Sequence, residues 1–415
     1  MKIAVIIPDL LAKSGGARLG LEVAREFIRR GHQATVYTFR YARDYTFAYL
    51  TPGLDIITFP KGFSIKERYP FGVAIPGFST IAAYRNRHRI AKALAALMDG
   101  DFDALNPHSS TGYLVAHYFN ARRRRVPTVW DLSSLPLLAS PAAAGGGIRR
   151  PAPLLKRLLA KAIDACDTRF YWRHIDAIAV LDTKTQELVR EHFSRTVVVN
   201  RTGVDADHFR YRPRQFRGPK RVTLLAHSSF FADRGFEDAI SAVKLLRDWG
   251  YDPHLILSGD CQRYRMYRNY RDRLLSLAEQ LGVRDRITLP GLVSEDKLLE
   301  EYYSADILVH PHRTQTWGMV VCEAMATGLP VIVSRGAGAH EVLTDGVEAL
   351  LVDANSPPAI AAAVRRLLEN PDLYVALSRN GAAFVRREIT WTRHVEKILQ
   401  LMAASRVSPG SSRPL

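Results

Sequence analysis

The chain has 415 residues, of which 47% are hydrophobic, and its 58 Lys and Arg outnumber its 41 Asp and Glu to give a net charge of +17. This composition excludes a disordered chain, and the length allows two domains with ample cores. No run of 18 apolar residues is present, so no membrane-spanning helix is expected.

The first predicted elements form a strand, a glycine loop, a helix and a second strand. "KIAVIIP" is a short apolar run, and because Pro8 and Asp9 interrupt it we interpret it as a strand rather than a signal peptide. The helix that follows places one apolar face inward and is expected to end at a glycine C-cap before the strand "ATVYTF". The pattern predicts a βαβ unit of a parallel sheet. The predicted apolar face contains Ala17, Leu21, Ala24 and Ile28, and the predicted cap is Gly31.

Further along the first half, "VPTVWDL" and "DAIAVL" are predicted strands, and two segments without clear periodicity, 59–79 and 140–153, are predicted loops. A helix is predicted for "LLKRLLAKAIDAC", with an apolar stripe opposite basic residues. The predicted stripe contains Leu154, Leu155, Leu158, Leu159, Ala162 and Ile163, and the basic residues opposite are Lys156, Arg157 and Lys161.

A second series of strands and helices begins near Arg221. The predicted strands are "RVTLLAH", "HLILSG", "RITLPG", "DILVHP" and "PVIVS". The predicted helices between them are "FEDAISAVKLLRDWG", "RDRLLSLAEQLGV", "EDKLLEEYYSA" and "VCEAMATG". The alternation predicts two doubly wound α/β halves with ligands bound at the carboxyl ends of the strands, in the crevice between the halves.

The domain boundaries are predicted from the polar, Pro- and Gly-rich join near residue 200. We expect domains at 1–200 and 201–389, a final helix at about 390–405 that packs back on the first domain, and a disordered tail at 406–415. The cysteines show no metal-ligand spacing, which is typical of reduced thiols in a cytosolic protein. They are Cys166, Cys261 and Cys322.

The positive charge is concentrated in the first half. Residues 1–173 contain 26 Lys and Arg against 12 Asp and Glu, a net charge of +14, whereas residues 174–415 contain 32 against 29, a net charge of +3. The runs "ARRRRVP" and "YRNRHRIAKAL" carry much of this charge. An anionic membrane surface and a nucleic acid are both candidate partners, but the sequence has no interleaved aromatic platform, so nucleic acid is not expected.

An ordered series of motifs resembles one enzyme family over nearly the whole chain. The motifs are "SGGAR", "NPHSS", "TGVDADHF", "DRGFEDAI", "YYSADILVHPH", "WGMVVCEAMATGLPVI" and "GAGAHEVLTDGVEALLV". In this series the chain resembles the retaining glycosyltransferase family 4 of the GT-B fold. The resemblance implies two Rossmann-like domains facing across a cleft, with the acceptor bound by the first domain and the nucleotide sugar by the second.

Glu323 is the clearest candidate for nucleotide binding. By itself a glutamate that opens a helix suits the helix dipole and could be only a cap. The resemblance implies that its carboxylate accepts hydrogen bonds from the ribose hydroxyls. Eight residues earlier, where the family usually has a second glutamate that binds the transferred sugar, this chain has Gln315. Glutamine keeps an acceptor and adds donors but loses the charge, so an altered sugar choice or rate is expected.

The diphosphate requires cations and backbone donors. Gly318 permits close backbone approach, and the resemblance implies that the N–H groups of Met319 and Val320 bind the sugar and diphosphate. Where the family has an arginine and a lysine, this chain has Ser228 and Arg234. An arginine can replace the lysine on phosphate, whereas the serine removes a guanidinium. The residues that could compensate for its loss are His227, Arg263 and Arg313.

In the first half, a glycine pair precedes the first helix, and a histidine follows a strand. Gly15 and Gly16 do not form a dinucleotide fingerprint, and a lone histidine is usually structural. The resemblance implies that the glycine loop folds over the acceptor (Gly15) and diphosphate (Gly16), and that His108 lies close to the reacting sugar. Ser109 and Ser110 are candidates for binding the acceptor.

These features together predict a retaining, metal-independent glycosyltransferase that uses a nucleotide-diphosphate sugar, requires no cofactor and acts in bacterial cell-surface polysaccharide or glycolipid synthesis. The acceptor is expected to be a glycan or a lipid-linked molecule, and the enzyme is expected in the cytoplasm or on the inner face of the cytoplasmic membrane. Three alternatives remain open: a catalytically impaired scaffold, motivated by the serine and the glutamine described above; an epimerase or phosphorylase of the same fold; and a basic nucleic-acid-binding protein.

Overall fold

The computed structural model describes residues 1–11, 13–42, 47–59, 78–133, 154–216, 218 and 220–407. Its strands are β1 Lys2–Ile6, β2 Asp9–Leu10, β3 Gln33–Tyr37, β4 Arg40–Tyr41, β5 Asp55–Ile57, β6 Ala104–Pro107, β7 Val129–Leu132, β8 Ala177–Val180, β9 Thr196–Val199, β10 Arg221–His227, β11 Asp252–Ser258, β12 Ile287–Gly291, β13 Ile307–His310, β14 Val331–Ser334 and β15 Leu350–Val352. Its α-helices are α1 Gly15–Arg29, α2 Phe78–Leu97, α3 Ser109–Arg122, α4 Leu154–Cys166, α5 Thr183–Arg190, α6 Phe236–Asp248, α7 Arg265–Gln280, α8 Glu295–Ser304, α9 Met319–Ala326, α10 Pro357–Glu369, α11 Pro371–Glu388 and α12 Trp391–Val407.

The described residues fall into two compact units. The first contains those up to Arg201 together with α12, and the second contains Thr202–Thr390. Helix α12 continues through Val407, so the tail predicted to begin at 406 is wrong for its first two residues. The helical pattern continues there because Met402 is still buried in the core. Residues 408–415 lie outside the described residues.

The sheet of the first unit is parallel. Strands β5, β3, β1 and β6 pair in that order, and β7, β8 and β9 form a second parallel ladder. Isolated parallel pairs, including His108 with Asp131, join the end of β6 to β7. The chain order reverses between β1 and β6, so the loops that follow these two strands lie at the topological switch point, where ligands bind in such sheets.

Helix α1 differs from its prediction at both ends. Ser14 Oγ accepts a hydrogen bond from the Ala17 N–H at 3.2 Å, and the helix therefore begins at Gly15, so the predicted glycine loop is the first helical turn. At the other end Ile28 is 38% exposed, and Phe27 takes the buried position three residues after Ala24. The other three residues predicted to face the core are buried.

Helix α4 is also rotated from its predicted orientation. Leu158 is 55% exposed and Ala162 is exposed, whereas Ile163 and Asp164 are buried. The helix turns this way because the chain just after it carries Asp167, whose carboxylate is buried and hydrogen-bonded to side chains of α2 and α3. Of the predicted loop 59–79, residues 60–77 lie outside the described residues, and the prediction for 78–79 is wrong because α2 begins at Phe78. The predicted loop 140–153 also lies outside the described residues. Among the described helices, none is long and apolar enough to cross a membrane.

The second unit contains a six-stranded parallel sheet in the order β12-β11-β10-β13-β14-β15. This is the order of a doubly wound nucleotide-binding sheet, with its switch point between β10 and β13. Both strands are largely buried, as expected for a parallel sheet covered by helices on its two faces. Strand β10 ends at His227 and strand β13 ends at His310. The candidates Ser228 and Arg234 lie on the chain after β10, and Gln315 and Glu323 lie on the chain after β13.

Candidate active site

Ser228 follows β10 and is held against the end of β11. Its N–H donates to the Ser258 carbonyl at 3.0 Å, and the backbone of Gly259 approaches so closely that a Cβ there would lie 1.9 Å from the Ser228 carbonyl oxygen. Gly259 has φ +137°, a conformation that side-chain-bearing residues rarely adopt. The structure therefore fixes the backbone at Ser228 through a glycine that sequence reasoning did not select.

We expect Gly259→Ala to destabilise the second unit severely. The new methyl group would overlap backbone atoms that cannot rotate away, so the expected cost exceeds about 3 kcal/mol. Gly282→Ala is the matched control, because φ at Gly282 is +66° but nothing lies within 4 Å of its Cβ position. The control should cost only about 1–2 kcal/mol. Urea unfolding of both variants measures the difference, and equal costs would contradict the close approach.

Arg234 lies in a short 3-10 turn, Ala232–Arg234, packed against the segment after β13. Gly235 makes this packing possible, since its Cβ position lies 2.3 Å from the Pro311 carbonyl oxygen. The guanidinium Nη1 of Arg234 lies 3.5 Å from the Thr314 carbonyl oxygen and 3.5 Å from an Asp233 carboxylate oxygen. The side chain is 18% exposed. Arg234 is therefore a partly buried cation beside the loop that carries Gln315.

The three residues that could compensate for the missing guanidinium at Ser228 differ in their contacts. Arg313 Nη2 lies 3.2 Å from an Asp238 carboxylate oxygen and 3.7 Å from a Glu237 carboxylate oxygen. Arg263 lies over the ring of the neighbouring tyrosine, 5.6 Å from its centroid. His227 ends β10 and acts electrostatically on His310, which ends β13, and on His312 just after it. Arg234 and His227 are thus the basic groups that act on the region around Gln315.

Gln315 is held by two buried histidines that sequence reasoning missed. Its Oε1 lies 2.7 Å from His310 Nε2 and 2.8 Å from His312 Nδ1. Burial lowers the pKa of His310 to about 4 and that of His312 well below its ordinary value. Both imidazoles are therefore neutral near pH 7. The signal in the sequence was the "HPH" that ends the buried strand, since alternate residues there share one direction.

Gly318 connects this cluster to the start of α9. It has φ +128°, and its Cβ position lies 3.3 Å from His310 Nε2 and 3.4 Å from Gln315 Oε1. The first-turn N–H groups of Met319 and Val320 have no acceptor earlier in the helix. The Val321 N–H already donates to the Gly318 carbonyl at 3.0 Å. The structure thus brings backbone donors next to Gln315, as a site for anionic or oxygen-rich ligands requires.

Glu323 does not open a helix, in contrast to the sequence interpretation. Helix α9 begins four residues earlier because Gly318 supplies its N-cap, and Glu323 is 3% exposed. Tyr302, on α8, donates its hydroxyl to Glu323 Oε2 at 2.9 Å. This tyrosine was not predicted as a site residue. Among the described residues, no group of three or more His, Cys, Asp or Glu is placed to hold a metal ion.

In the first unit, His108 ends the loop between β6 and α3 and is 1% exposed. Its Nε2 lies 2.9 Å from Asn106 Oδ1, and Asn106 Nδ2 donates to the Val129 carbonyl, so the histidine carries its proton on Nε2. Burial lowers the pKa of His108 to about 4. Its Nδ1 is buried and has no hydrogen-bond partner among the described residues. His108 therefore offers a neutral, unprotonated ring nitrogen.

The neighbours of His108 are tightly placed. Ser109 starts α3 with φ +53°, an uncommon conformation for a residue with a side chain, and its carbonyl accepts from Trp130 Nε1 at 2.9 Å. Gly16 faces the loop after β7, with its Cβ position 3.2 Å from Ser133 Oγ. The side chain of Ser110 lies outside the described part of the structure. Gly15 and Gly16 both lie in the first turn of α1.

A buried ion pair behind His108 was not predicted. His394 Nε2 lies 2.7 Å from Asp131 Oδ2, and both side chains have 0% exposure. His394 Nδ1 lies 2.9 Å from the Arg201 carbonyl oxygen. Both ring nitrogens thus face acceptors, which favours the imidazolium form. Burial opposes this charge, but Asp131 and the Arg201 carbonyl raise the pKa of His394 overall. No local sequence pattern could indicate a pair whose members are 263 residues apart.

Two doubly wound units with candidate residues at their switch points are the arrangement expected of a GT-B glycosyltransferase. Residues 208–384 match the profile of the family described as Glycosyl transferases group 1, and residues 13–208 match that of Glycosyltransferase Family 4. The two matches adjoin and together span most of the chain. The chain therefore belongs to the group 1 glycosyltransferases of the family 4 type.

Among relatives, the chain is 29% identical over 214 residues to a GDP-mannose-dependent alpha-(1-6)-phosphatidylinositol monomannoside mannosyltransferase of Mycobacterium tuberculosis. That match spans 48% of this chain and 54% of the relative, so it covers about half the length of each. A D-inositol 3-phosphate glycosyltransferase of Xylanimonas cellulosilytica is 24% identical over 411 residues, which is 92% of this chain and 90% of that protein.

Solved structures support the fold. HepE of Anabaena, in complex with UDP and glucose, superposes with a TM-score of 0.71 at 17% identity, covering 97% of this chain and 100% of that one. The sucrose-phosphate synthase of Thermosynechococcus elongatus superposes with a TM-score of 0.73 at 17% identity, covering 98% and 100%. At this identity the likeness establishes the shared GT-B fold.

Proposed function

We propose that the chain is a retaining glycosyltransferase that moves a sugar from a nucleotide-diphosphate sugar to an acceptor hydroxyl. One observation carries the proposal. The switch point of the second sheet gathers hydrogen-bond donors and a cation, namely the Arg234 guanidinium, the Gln315 amide and the first-turn N–H groups of α9. A sugar diphosphate is the class of ligand that such a set of donors binds.

Most contacts to the donor are proposed to come from the second unit. Arg234 would hold the diphosphate, with the hydroxyl of Ser228 as an additional contact in place of a second cation. Glu323 would accept from the ribose hydroxyls, and the N–H groups of Met319 and Val320 would bind the sugar or phosphate oxygens. GDP-mannose, named for the mycobacterial relative, and UDP-glucose, bound in a structure of HepE, are the first candidates.

The reaction is proposed to keep the anomeric configuration. Arg234 and the α9 start would stabilise charge on the departing diphosphate, and a diphosphate oxygen would take the proton from the attacking hydroxyl, so neither a metal nor a protein base is required. His108 would contact the transferred sugar through its unprotonated nitrogen. Gly15, Ser109 and Ser110 are proposed to bind the acceptor, and Gly16 the diphosphate. A product of inverted configuration by NMR would refute the retaining mechanism.

We also propose that the acceptor is a glycan or lipid-linked molecule of bacterial cell-surface synthesis and that the basic first unit approaches an anionic membrane surface. The arginines at 122–125 are exposed, which supports this proposal. Two of them form ion pairs, Arg123 with Asp99 and Arg125 with Asp176, so Arg122 and Arg124 are the stronger candidates for lipid contact.

The donor site is tested with Arg234 variants. Calorimetry with UDP-, GDP-, dTDP- and ADP-sugars should find one donor that binds, and Arg234→Ala should weaken that donor about 10- to 100-fold, since a charged hydrogen bond contributes about 1.5–3 kcal/mol. Arg234→Lys should restore part of the loss. Arg263→Ala is the control variant and should bind the donor normally. The Arg263 side chain is exposed and lies over the ring of the neighbouring Tyr264. Binding of no donor by the unaltered chain would favour a scaffold role.

A further inference from the structure

The side-chain amide of Gln315 is fixed through its oxygen, and its nitrogen is left for a ligand. Its Oε1 faces both His310 Nε2 and His312 Nδ1, and an amide oxygen carries no proton, so each histidine must donate. His310 therefore carries its proton on Nε2 and His312 on Nδ1. The two rings lie with centroids 3.7 Å apart, and each residue is 1% exposed.

The backbone of Gln315 is fixed as well. Its N–H donates to the Gly336 carbonyl at 3.0 Å, and its carbonyl accepts from the Gly338 N–H at 2.9 Å. The side chain is partly exposed, and its Nε2 has no hydrogen-bond partner in the part of the chain that the structure describes. Rotation of the amide would break two hydrogen bonds to buried imidazoles. The N–H pair is thus the one group of Gln315 left for a ligand.

The surroundings add positive potential. Burial has the largest effect in lowering the pKa of the two imidazoles, and the nearby Arg234 and His227 lower it further. A carboxylate at position 315 could only accept from a sugar hydroxyl, and it would draw a proton onto the imidazoles beside it. The amide reverses the direction of the hydrogen bond, because its two N–H groups can only donate.

We infer that His310 and His312 are positioning residues that turn the Gln315 amide so that it donates to an oxygen of the bound sugar. The sugar group at this place is therefore a hydrogen-bond acceptor, either a hydroxyl oxygen whose own proton points elsewhere or a carbonyl or carboxylate oxygen. The inference rests on the proposed function, because it assumes that a nucleotide sugar occupies this site.

The tautomers of His310 and His312 test the orientation of the Gln315 amide without any ligand. In protein labelled with ¹⁵N-histidine, two-dimensional NMR should show His310 protonated on Nε2 and His312 on Nδ1, both neutral at pH 7. Gln315→Met should remove this fixed pattern, and assignments come from His310→Asn and His312→Asn. A His312 protonated on Nε2 would overturn the inference, since the amide would then face the opposite way.

Sugar analogues test the direction of the hydrogen bond. The probe is the nucleotide sugar that binds best among the UDP-, GDP-, dTDP- and ADP-sugars, together with its monodeoxy and monofluoro derivatives at each sugar hydroxyl. Fluorine can accept but cannot donate, so at one position the fluoro sugar should bind at least 3-fold better than the deoxy sugar. Gln315→Glu should abolish that advantage. Equal binding of fluoro and deoxy sugars at every position would overturn the inference.

Histidine variants separate positioning from packing. His312→Asn keeps an N–H near the place of Nδ1 and should retain the fluoro preference, whereas His312→Leu keeps bulk but not the donor and should lose it. Loss of the preference in both variants, or in neither, would contradict positioning by His312. If the tautomers are as expected but none of the UDP-, GDP-, dTDP- and ADP-sugars binds, the proposed function fails at this site, and the sugar contact of Gln315 is refuted with it.

Discussion

Glu323→Gln is expected to reduce affinity for the nucleotide-sugar donor about 100-fold. The carboxylate is buried, and in the proposed complex it accepts two hydroxyl hydrogen bonds from the ribose. Hydrogen bonds to a charged group contribute about 1.5–3 kcal/mol each, so weakening both removes about 3 kcal/mol of binding free energy. Glutamine keeps the volume of the side chain, so the fold should remain intact. Isothermal calorimetry with the best donor measures the effect.

Tyr302→Phe is the control for this prediction. It removes the hydroxyl that donates to Glu323 Oε2 but keeps the carboxylate and the buried ring. We expect a loss of donor affinity of less than about 10-fold, because one neutral donor contributes about 1 kcal/mol. If Glu323→Gln bound the donor normally and only lost thermal stability, the carboxylate would be a structural partner of Tyr302, and the ribose would be bound elsewhere.

The bounds of several strands and helices of the second unit could be predicted closely, because the apolar periodicity and the position of the glycines indicate the same element ends. Strand β10 spans the residues that the sequence indicated, and α6 ends just before Gly250, whose φ of +87° suits a helix end. The starts of α1 and α9 were predicted less well. Ser14 and Gly318 cap these helices earlier than the apolar pattern suggests, since capping depends on a single residue and not on periodicity.

The candidate site could be predicted only as residue types along the chain. The sequence indicated Gln315 and Glu323, but not His312 or Tyr302, which hold them. The "HPH" could place two histidines on one side of the strand end, but it could not indicate their roles. A histidine just after a strand, or a tyrosine on an earlier helix, has the same sequence pattern whether it packs in a core or binds a site residue. Only the tertiary contacts distinguish the two cases.

Asp131→Ala is expected to cause the largest loss of stability in the first unit. It would leave the His394 imidazolium buried without its counter-charge, and removing one partner of a buried pair costs about 3–5 kcal/mol. For a unit of this size, the melting temperature should fall by about 6–20 °C. Asp131→Asn should lose less, because it retains an acceptor for Nε2. Asp99→Ala, which removes an exposed ion pair with Arg123, should change little.

The pH dependence of this loss identifies the charge on His394. Burial opposes protonation, but the Asp131 carboxylate and the Arg201 carbonyl raise the pKa of His394 above its ordinary value overall. A pKa that is higher in the folded state than in the unfolded state stabilises the fold fully below about pH 6.5, and this stabilisation disappears as the pH rises through the folded value. Urea unfolding should therefore show the difference between the unaltered protein and Asp131→Ala shrinking from pH 6 to pH 10. A constant difference would mean that His394 is neutral in the native protein and that Asp131 holds it by a hydrogen bond alone.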